Sequence, residues 1–232
     1  MQFLCGLAYQ PMLRNLLNLF VKSSCPLCQR QTQDIICSYC DKKIKGNYLP
    51  VWETKKTGIL PVFAWGKYEG YLKRAIACLK YEDKPELGIL LGEWLGQSWL
   101  DTPQGKKIKK LTVVPIPLHQ QKLNLRGFNQ SVEIARGFCQ VTGYALQTQV
   151  LIRVKNTEAM FGLNPQQRHA NVKNAFVLNK KCYSKATRSS ILLLDDIYTT
   201  GSTMKEAYQV LNRNSFSVCG AAVIAIASRH KS

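Results

Sequence analysis

The sequence predicts an α/β fold, a parallel sheet flanked by helices, with a small cysteine-rich module ahead of it. Three observations carry this. The segments ILLLDD (191–196) and VCGAAVIAIA (218–227) are continuously apolar, which suits strands covered on both faces. Stretches of helical periodicity alternate with such strands, the order expected of parallel β-α-β units. Four cysteines fall within residues 25–40, before any of these units. An N-terminal helix and the cysteine module are assigned to residues 1–50, and the α/β domain to 51–232.

Each element follows from local pattern. Leu13, Leu16, Leu17 and Phe20 recur at helical spacing and predict a short amphipathic helix that docks on the body, with a membrane-surface helix as the alternative. Residues 46–60 mix Gly, Pro and charges and read as a connector. VFAWGKY (62–68) reads as a strand. Residues 70–81 and 86–100 are periodic helices, with Pro85 placed to start the second. DTPQGKKIKK (101–110) reads as a polar, basic loop. LTVVPIP (111–117) is a β-branched strand that its prolines must end. Residues 128–141 read as a helix, ALQTQVLIRV (145–154) as a strand, and AFVL (175–178) as a short strand. After strand 191–196 come a glycine turn and a helix over 202–213, and then the last buried strand, 218–227.

The bulk composition narrows the class. Hydrophobic residues make up 46% of the 232, so a core can form. A net charge of +18, from 32 Lys+Arg against 14 Asp+Glu, points to a polyanionic or phosphorylated partner. An odd total of 9 Cys with one tight cluster argues against a secreted disulfide framework and for a reducing compartment. No run reaches the ~18 apolar residues of a membrane span. No basic residue precedes Arg14, so a signal peptide is not expected. The expected location is the cytoplasm, with a peripheral position at the inner membrane left open.

The cysteines form two C-x-x-C pairs, Cys25/Cys28 and Cys37/Cys40, with eight residues between them. Four thiolates suit tetrahedral Zn²⁺, with no ligand position to spare, so the metal would be structural. Redox dithiols or two disulfides are the alternatives. A redox pair should open a helix after a strand, and neither pair is expected to do so.

The segment ILLLDDIYTTGST (191–203) carries the clearest chemistry. Its apolar half buries a strand. The strand delivers Asp195 and Asp196 to what reads as its exposed C-terminal end, where open α/β sheets bind ligands. Gly201 lets backbone approach an anion closely, and the next helix N-terminus offers free N–H groups. Thr199, Thr200, Ser202 and Thr203 add hydroxyl donors for a 5′-phosphate. Two carboxylates beside a phosphate cradle make sense if they grip vicinal sugar hydroxyls and help to hold Mg²⁺. The pattern is not a Walker loop. An ordinary strand–turn–helix corner is the plain alternative.

The basic middle reads VVPIPLHQQKLNLRGFNQSVEIAR (113–136). Lys122, Arg126, Phe128, Asn129 and Arg136 combine cations, an aromatic and an amide, the ingredients for contact with single-stranded nucleic acid. A helix entry whose Phe128 belongs to the core is an equal reading. His119 could donate to phosphate or act as an acid, or simply pack.

The 191–203 segment resembles the signature of type I phosphoribosyltransferases. That resemblance implies that Asp195 and Asp196 contact the ribose hydroxyls of phosphoribosyl pyrophosphate, bound with Mg²⁺, while 199–203 holds its 5′-phosphate. It implies a second loop at Pro115, Ile116 and Pro117 for the pyrophosphate. PIPLH, RGFNQS, RVKNT, the segment with Arg168, Asn171, Val172, Asn174 and Phe176, LKY at 79–81 and the four-cysteine module together resemble the ComF family. Met160 departs from that pattern, where a Gln is usual. The family resemblance implies a competence protein that binds phosphoribosyl pyrophosphate and single-stranded DNA and assists handling or import of transforming DNA, alongside other DNA-uptake proteins. The alternative is a metabolic, Mg-dependent phosphoribosyltransferase acting on a small base or related acceptor. Whether phosphoribosyl transfer is catalysed is not readable from the residues.

Overall fold

The computed structural model of the chain describes residues 23–53, 60–108, 110–157, 165–182 and 189–227. The helix expected near residues 13–20, like Met160, falls outside them. In chain order the elements are β1 (Ser23–Ser24), β2 (Gln31–Thr32), α1 (Ser38–Lys45), β3 (Tyr48–Glu53), β4 (Val62–Lys67), α2 (Gly70–Tyr81), α3 (Pro85–Leu100) and α4 (Pro103–Lys107). There follow β5 (Leu111–Pro115), α5 (Gln120–Arg126), α6 (Gln130–Thr142), β6 (Ala145–Leu146), β7 (Leu151–Arg153), α7 (Pro165–Val172), β8 (Phe176–Leu178), β9 (Ser190–Tyr198), α8 (Ser202–Arg213) and β10 (Val218–Ile226).

The expected α/β architecture is present. A central sheet runs in the order β3-β4-β10-β9-β5-β6, parallel throughout except for the antiparallel edge pair β3–β4. Successive residues of β9 alternate between its two faces, as strand geometry requires. Leu192 and Leu194 join a core with Leu72 and Ile76 of α2, Leu91 of α3 and Ile134 of α6. Ile191 and Leu193 join a second core with Ala207 and Leu211 of α8 and Phe176 of β8. The fully buried Leu side chains each contribute about 1.5–3 kcal/mol by leaving water.

Where the elements differ from the sequence reading, the cause is local. β3 forms inside the expected connector. Its aromatic and β-branched residues outweigh Pro50, which an edge strand tolerates, and the register shifts between Tyr48 and Val51. Thr102 caps a short helix, α4, in the expected basic loop, its side chain accepting from the Gly105 N–H at 3.0 Å. The expected strand 145–154 breaks in two: β6 joins the central sheet, and β7 leaves it to pair antiparallel with β8.

Helices α3 and α6 pack backbone to backbone. A Cβ placed on Gly92 would meet the Ile134 carbonyl oxygen at 2.0 Å, and one on Gly137 would meet that of Ile89 at 2.0 Å. Any side chain at either position would push the helices apart. The close crossing fixes α6, whose first turn carries Ser131.

The cysteine module is not packed apart from the sheet. Cys25, Leu27, Cys40 and Ile44 lie in the same core as α2 and α3, and the rings of Tyr39 and Tyr71 meet edge-on at 6.0 Å.

Candidate functional site

β5 and β9 are adjacent but continue in opposite directions across the sheet, β5 to β6 and β9 to β10. This is a topological switch point, where open α/β sheets place ligands at the strands' C-terminal ends. The β5–β9 pairing stops at Pro115–Leu194, after which the Ile116 N–H donates to the Leu194 carbonyl at 2.8 Å. β9 continues to Tyr198, paired on its other side with β10. The switch-point crevice of such a sheet falls between residues 195–198 of β9 and the loop 115–117, and both sequence-predicted loops border that position.

The acid pair lies within β9 rather than at an exposed strand end. Asp195 is buried and Asp196 is 4% exposed. Asp195 Oδ1 accepts from Ser131 Oγ at 2.7 Å and from the Asp196 N–H at 2.9 Å. The Asp196 carboxylate pairs with Lys80 Nζ at 2.6 Å. Burial, with the neighbouring Asp196 charge, pushes the Asp195 carboxyl up to about 7, although Ser131 and Lys80 oppose the rise. Burial pulls the Lys80 ammonium down, but the Asp196 charge and hydrogen bond more than offset that, so its net shift is upward.

After Tyr198 the chain turns through Gly201 at φ 79°, the left-handed region that favours glycine, and α8 begins at Ser202. A Cβ at Gly201 would lie 2.3 Å from the Tyr198 hydroxyl, so space also requires glycine there. Thr200 Oγ1 and Ser202 Oγ share a hydrogen bond of 2.9 Å. Thr199 and Thr203 are half-buried beside them.

The opposite wall is tied down by caps. His119 starts α5, its Nδ1 accepting from the Gln121 N–H at 3.3 Å. Asn129 starts α6, its Oδ1 accepting from the Ser131 N–H at 3.0 Å, while its Nδ2 donates to the Ile116 carbonyl at 3.0 Å. Thus Asn129 fastens the 115–117 loop to the helix that supplies Ser131. Phe128 is partly buried against the core. Arg136 is exposed and pairs with Glu133 at 3.4 Å.

Lys122 and Arg126, both on α5, lie within reach of the charges around the acid pair. Lys122 Nζ donates to the Thr157 carbonyl at 2.7 Å, and the Thr157 hydroxyl accepts from Arg153. Arg126 donates to Gln130 and sits over the Tyr81 ring at 5.8 Å. The Arg126 charge acts on Asp196 and the Arg153 charge on Asp195. Lys80, Ser131, Arg153 and Thr157 fall in the quoted segments LKY, RGFNQS and RVKNT, but the sequence assigns none of them a role, because their partners lie far along the chain. A resident Mg²⁺ does not fit this donor set. Both acids are already engaged, and the charges of Lys80, Arg126 and Arg153 act on them, where a hard dication needs oxygen ligands.

The four module thiols converge, with all Sγ atoms within 4.8 Å of one another and Cys28 Sγ 3.5 Å from Cys37 Sγ. The set can hold a metal such as zinc, since Zn–S bonds of about 2.3 Å place sulfurs at such separations. One premise needs correction: Cys37 does open a helix, as the N-cap of α1, so the second pair has the local form of a redox motif. The convergence of both pairs on one point favours the metal.

A separate apolar pocket, lined by Pro61, Trp99, Pro103 and Cys219, sits by the start of β10, away from the crevice. No helix among the described residues is long and apolar enough to cross a membrane.

No family model matches the chain. Competence protein F of Haemophilus influenzae is 26% identical over 204 residues, which is 82% of this chain and 84% of that protein. The DNA utilization protein YhgH of Escherichia coli (strain K12) is 26% identical over 198 residues, with the same coverage of 82% and 84%. YhgH of Salmonella typhimurium is 31% identical over 137 residues, 59% of each chain. These relatives bear out the resemblance to the ComF family: over most of its length the chain is a homologue of Competence protein F and of the DNA utilization proteins.

Proposed function

We propose that the protein serves natural transformation, binding phosphoribosyl pyrophosphate in the β5–β9 crevice and single-stranded DNA at its basic surface, and so assisting the handling of incoming DNA. The observation that carries the first part is the switch-point crevice itself. An acid pair able to grip sugar hydroxyls lies in the C-terminal half of β9, a few residues before a glycine-turned helix N-terminus that suits a 5′-phosphate. In this reading Asp195 and Asp196 meet the ribose, residues 199–203 meet the 5′-phosphate, and Pro115, Ile116 and Pro117 line the pyrophosphate side. Magnesium, expected from the resemblance, would belong to the ligand's own diphosphate.

The DNA part rests on the +18 charge, on Arg126 over a Tyr81 ring that is 76% exposed, and on the names of the relatives, Competence protein F and DNA utilization protein. A cation beside an exposed aromatic offers a base both a stacking surface and a phosphate partner. Lys122, Arg126 and Arg136 are the proposed contacts, with Phe128 and Asn129 supporting them from the core and the α6 cap. In this reading the cysteine module assigned to residues 1–50 holds zinc ahead of the α/β domain (51–232), and the protein works in the cytoplasm, where other DNA-uptake proteins are the expected neighbours.

Disruption of the gene tests the role. Transformants should vanish while DNA still reaches the cell surface or periplasm. If transformation is untouched and the cells instead require a base or nucleotide, the protein is a metabolic phosphoribosyltransferase.

A further inference from the structure

The charge balance at the crevice is lopsided. Two carboxylates, Asp195 and Asp196, share one cluster with four cations carried by three elements: Lys80 from the end of α2, Lys122 and Arg126 from α5, and Arg153 from β7. They are near enough to feel one another, since the charges of Arg153, Arg126 and Lys80 all act on Lys122. None is an ordinary surface cation. The Lys80 side chain is largely buried, and Arg153 packs its guanidinium over the Phe176 ring at 5.3 Å. Lys122 and Arg153 are both anchored on the buried Thr157. Arg153 Nε is buried with no hydrogen-bond partner among the described residues.

A half-buried excess of positive charge is costly unless something supplies the missing anion. Burial weakens the compensation further, because it disfavours ionisation of Asp195. The place beside Asp196 that a divalent ion would take in an acidic sugar-phosphate site is filled by an ammonium at 2.6 Å. A Lys ammonium is a compact point charge with three donors, so it can stay on the carboxylate and still face a ligand oxygen.

We propose that Lys80 stands in for a divalent metal at the acid pair, and that Lys80, Lys122, Arg126 and Arg153 together meet the charge of a diphosphate-bearing ligand, so that the crevice captures it without a metal ion. This rests on the phosphoribosyl pyrophosphate reading for the sugar, but the cation set asks only for the diphosphate.

Calorimetry on the full chain separates the two. Phosphoribosyl pyrophosphate is titrated in EDTA and in Mg²⁺, and inorganic pyrophosphate in EDTA. The expected result is comparable affinity for phosphoribosyl pyrophosphate with and without the metal, and measurable pyrophosphate binding in EDTA. Lys80→Met should weaken binding in EDTA about tenfold or more, as loss of a charged hydrogen bond predicts, and Mg²⁺ should restore part of it. Because Lys80→Met leaves Asp196 unpaired and could unsettle the fold, Arg126→Gln is measured alongside it, and should also weaken pyrophosphate binding in EDTA. If phosphoribosyl pyrophosphate binds only with Mg²⁺, the metal-free proposal is overturned while the ribose reading stands. If it binds under neither condition but pyrophosphate binds in EDTA and weakens in Arg126→Gln, the cation set is upheld and the ribose reading falls. If neither ligand binds in EDTA, the proposal is overturned.

Discussion

Asp195→Asn should make the protein more stable at pH 8 and cost it its sugar-phosphate ligand. Asp195 is buried beside a second carboxylate, and its folded-state pKa is raised from an ordinary carboxylate value to about 7. The sign follows from linkage. A raised acid pKa means that the folded state holds the proton more tightly than the unfolded chain. The stability it contributes is fully present below the unfolded pKa, near 4, and is lost as pH rises to about 7. At pH 8 the buried charge therefore opposes folding, by a few kcal/mol at most, since each pKa unit is about 1.4 kcal/mol. Asparagine removes the charge and keeps an Oδ1 that can accept from Ser131 and from the Asp196 N–H. Denaturant melts at pH 5 and pH 8 should show the wild type losing stability across this interval and the variant losing less. Equal pH dependence in the two proteins would mean that Asp195 ionises freely in the fold. A buried carboxylate that opposes folding when ionised is expected of a binding group rather than a structural one.

Loss of a metal held by the four module thiols should be the most damaging single change. The purified chain is expected to carry about one zinc, and Cys40→Ala should lose it. Cys40 is fully buried, and its module neighbours Leu27 and Ile44 share a core with Leu72 and Leu91. An emptied site would loosen α1 against α2 as well as the turns around the cysteines. Structural zinc holds small modules by many kcal/mol. Even a ~3 kcal/mol share of that would lower the melting temperature of a chain this size by about 6–12 °C. Substoichiometric metal in the wild type, with an unchanged melt in Cys40→Ala, would point to the redox alternative that the position of Cys37 at the α1 N-cap leaves open.

The elements most legible in the sequence are those whose local pattern agrees with their burial. The apolar runs of β9 and β10, the periodicity of α2 and α3, and the prolines that end β5 all fall where the pattern puts them. The acid pair and the glycine turn were legible because one short segment carries all their residue types. What stayed hidden was set by partners far along the chain. Lys80 is quoted from the sequence only within LKY, and its partner emerges once α2 brings it to Asp196, a residue distant in sequence. Ser131 reads as a helix-start residue, and its hydroxyl finds Asp195 only because Gly92 and Gly137 let α6 settle close to α3. β3 was missed because Pro50 argues against a central strand but not against an edge. Asn174, quoted from the sequence for its family pattern, has a physical role: it takes a left-handed turn at φ 56° and donates its N–H to buried Glu206 at 2.7 Å, joining the β8 arm to α8.

The most direct test of the account is calorimetric titration of the full chain with phosphoribosyl pyrophosphate, beside the Asp195→Asn, Asp196→Asn double variant. The account predicts saturable binding near one ligand per chain in the wild type and its loss in the double variant, with circular dichroism showing the fold retained. Equal affinity in the two proteins, or no binding by the wild type with or without magnesium, would contradict the assignment of the β5–β9 crevice to a phosphorylated ribose.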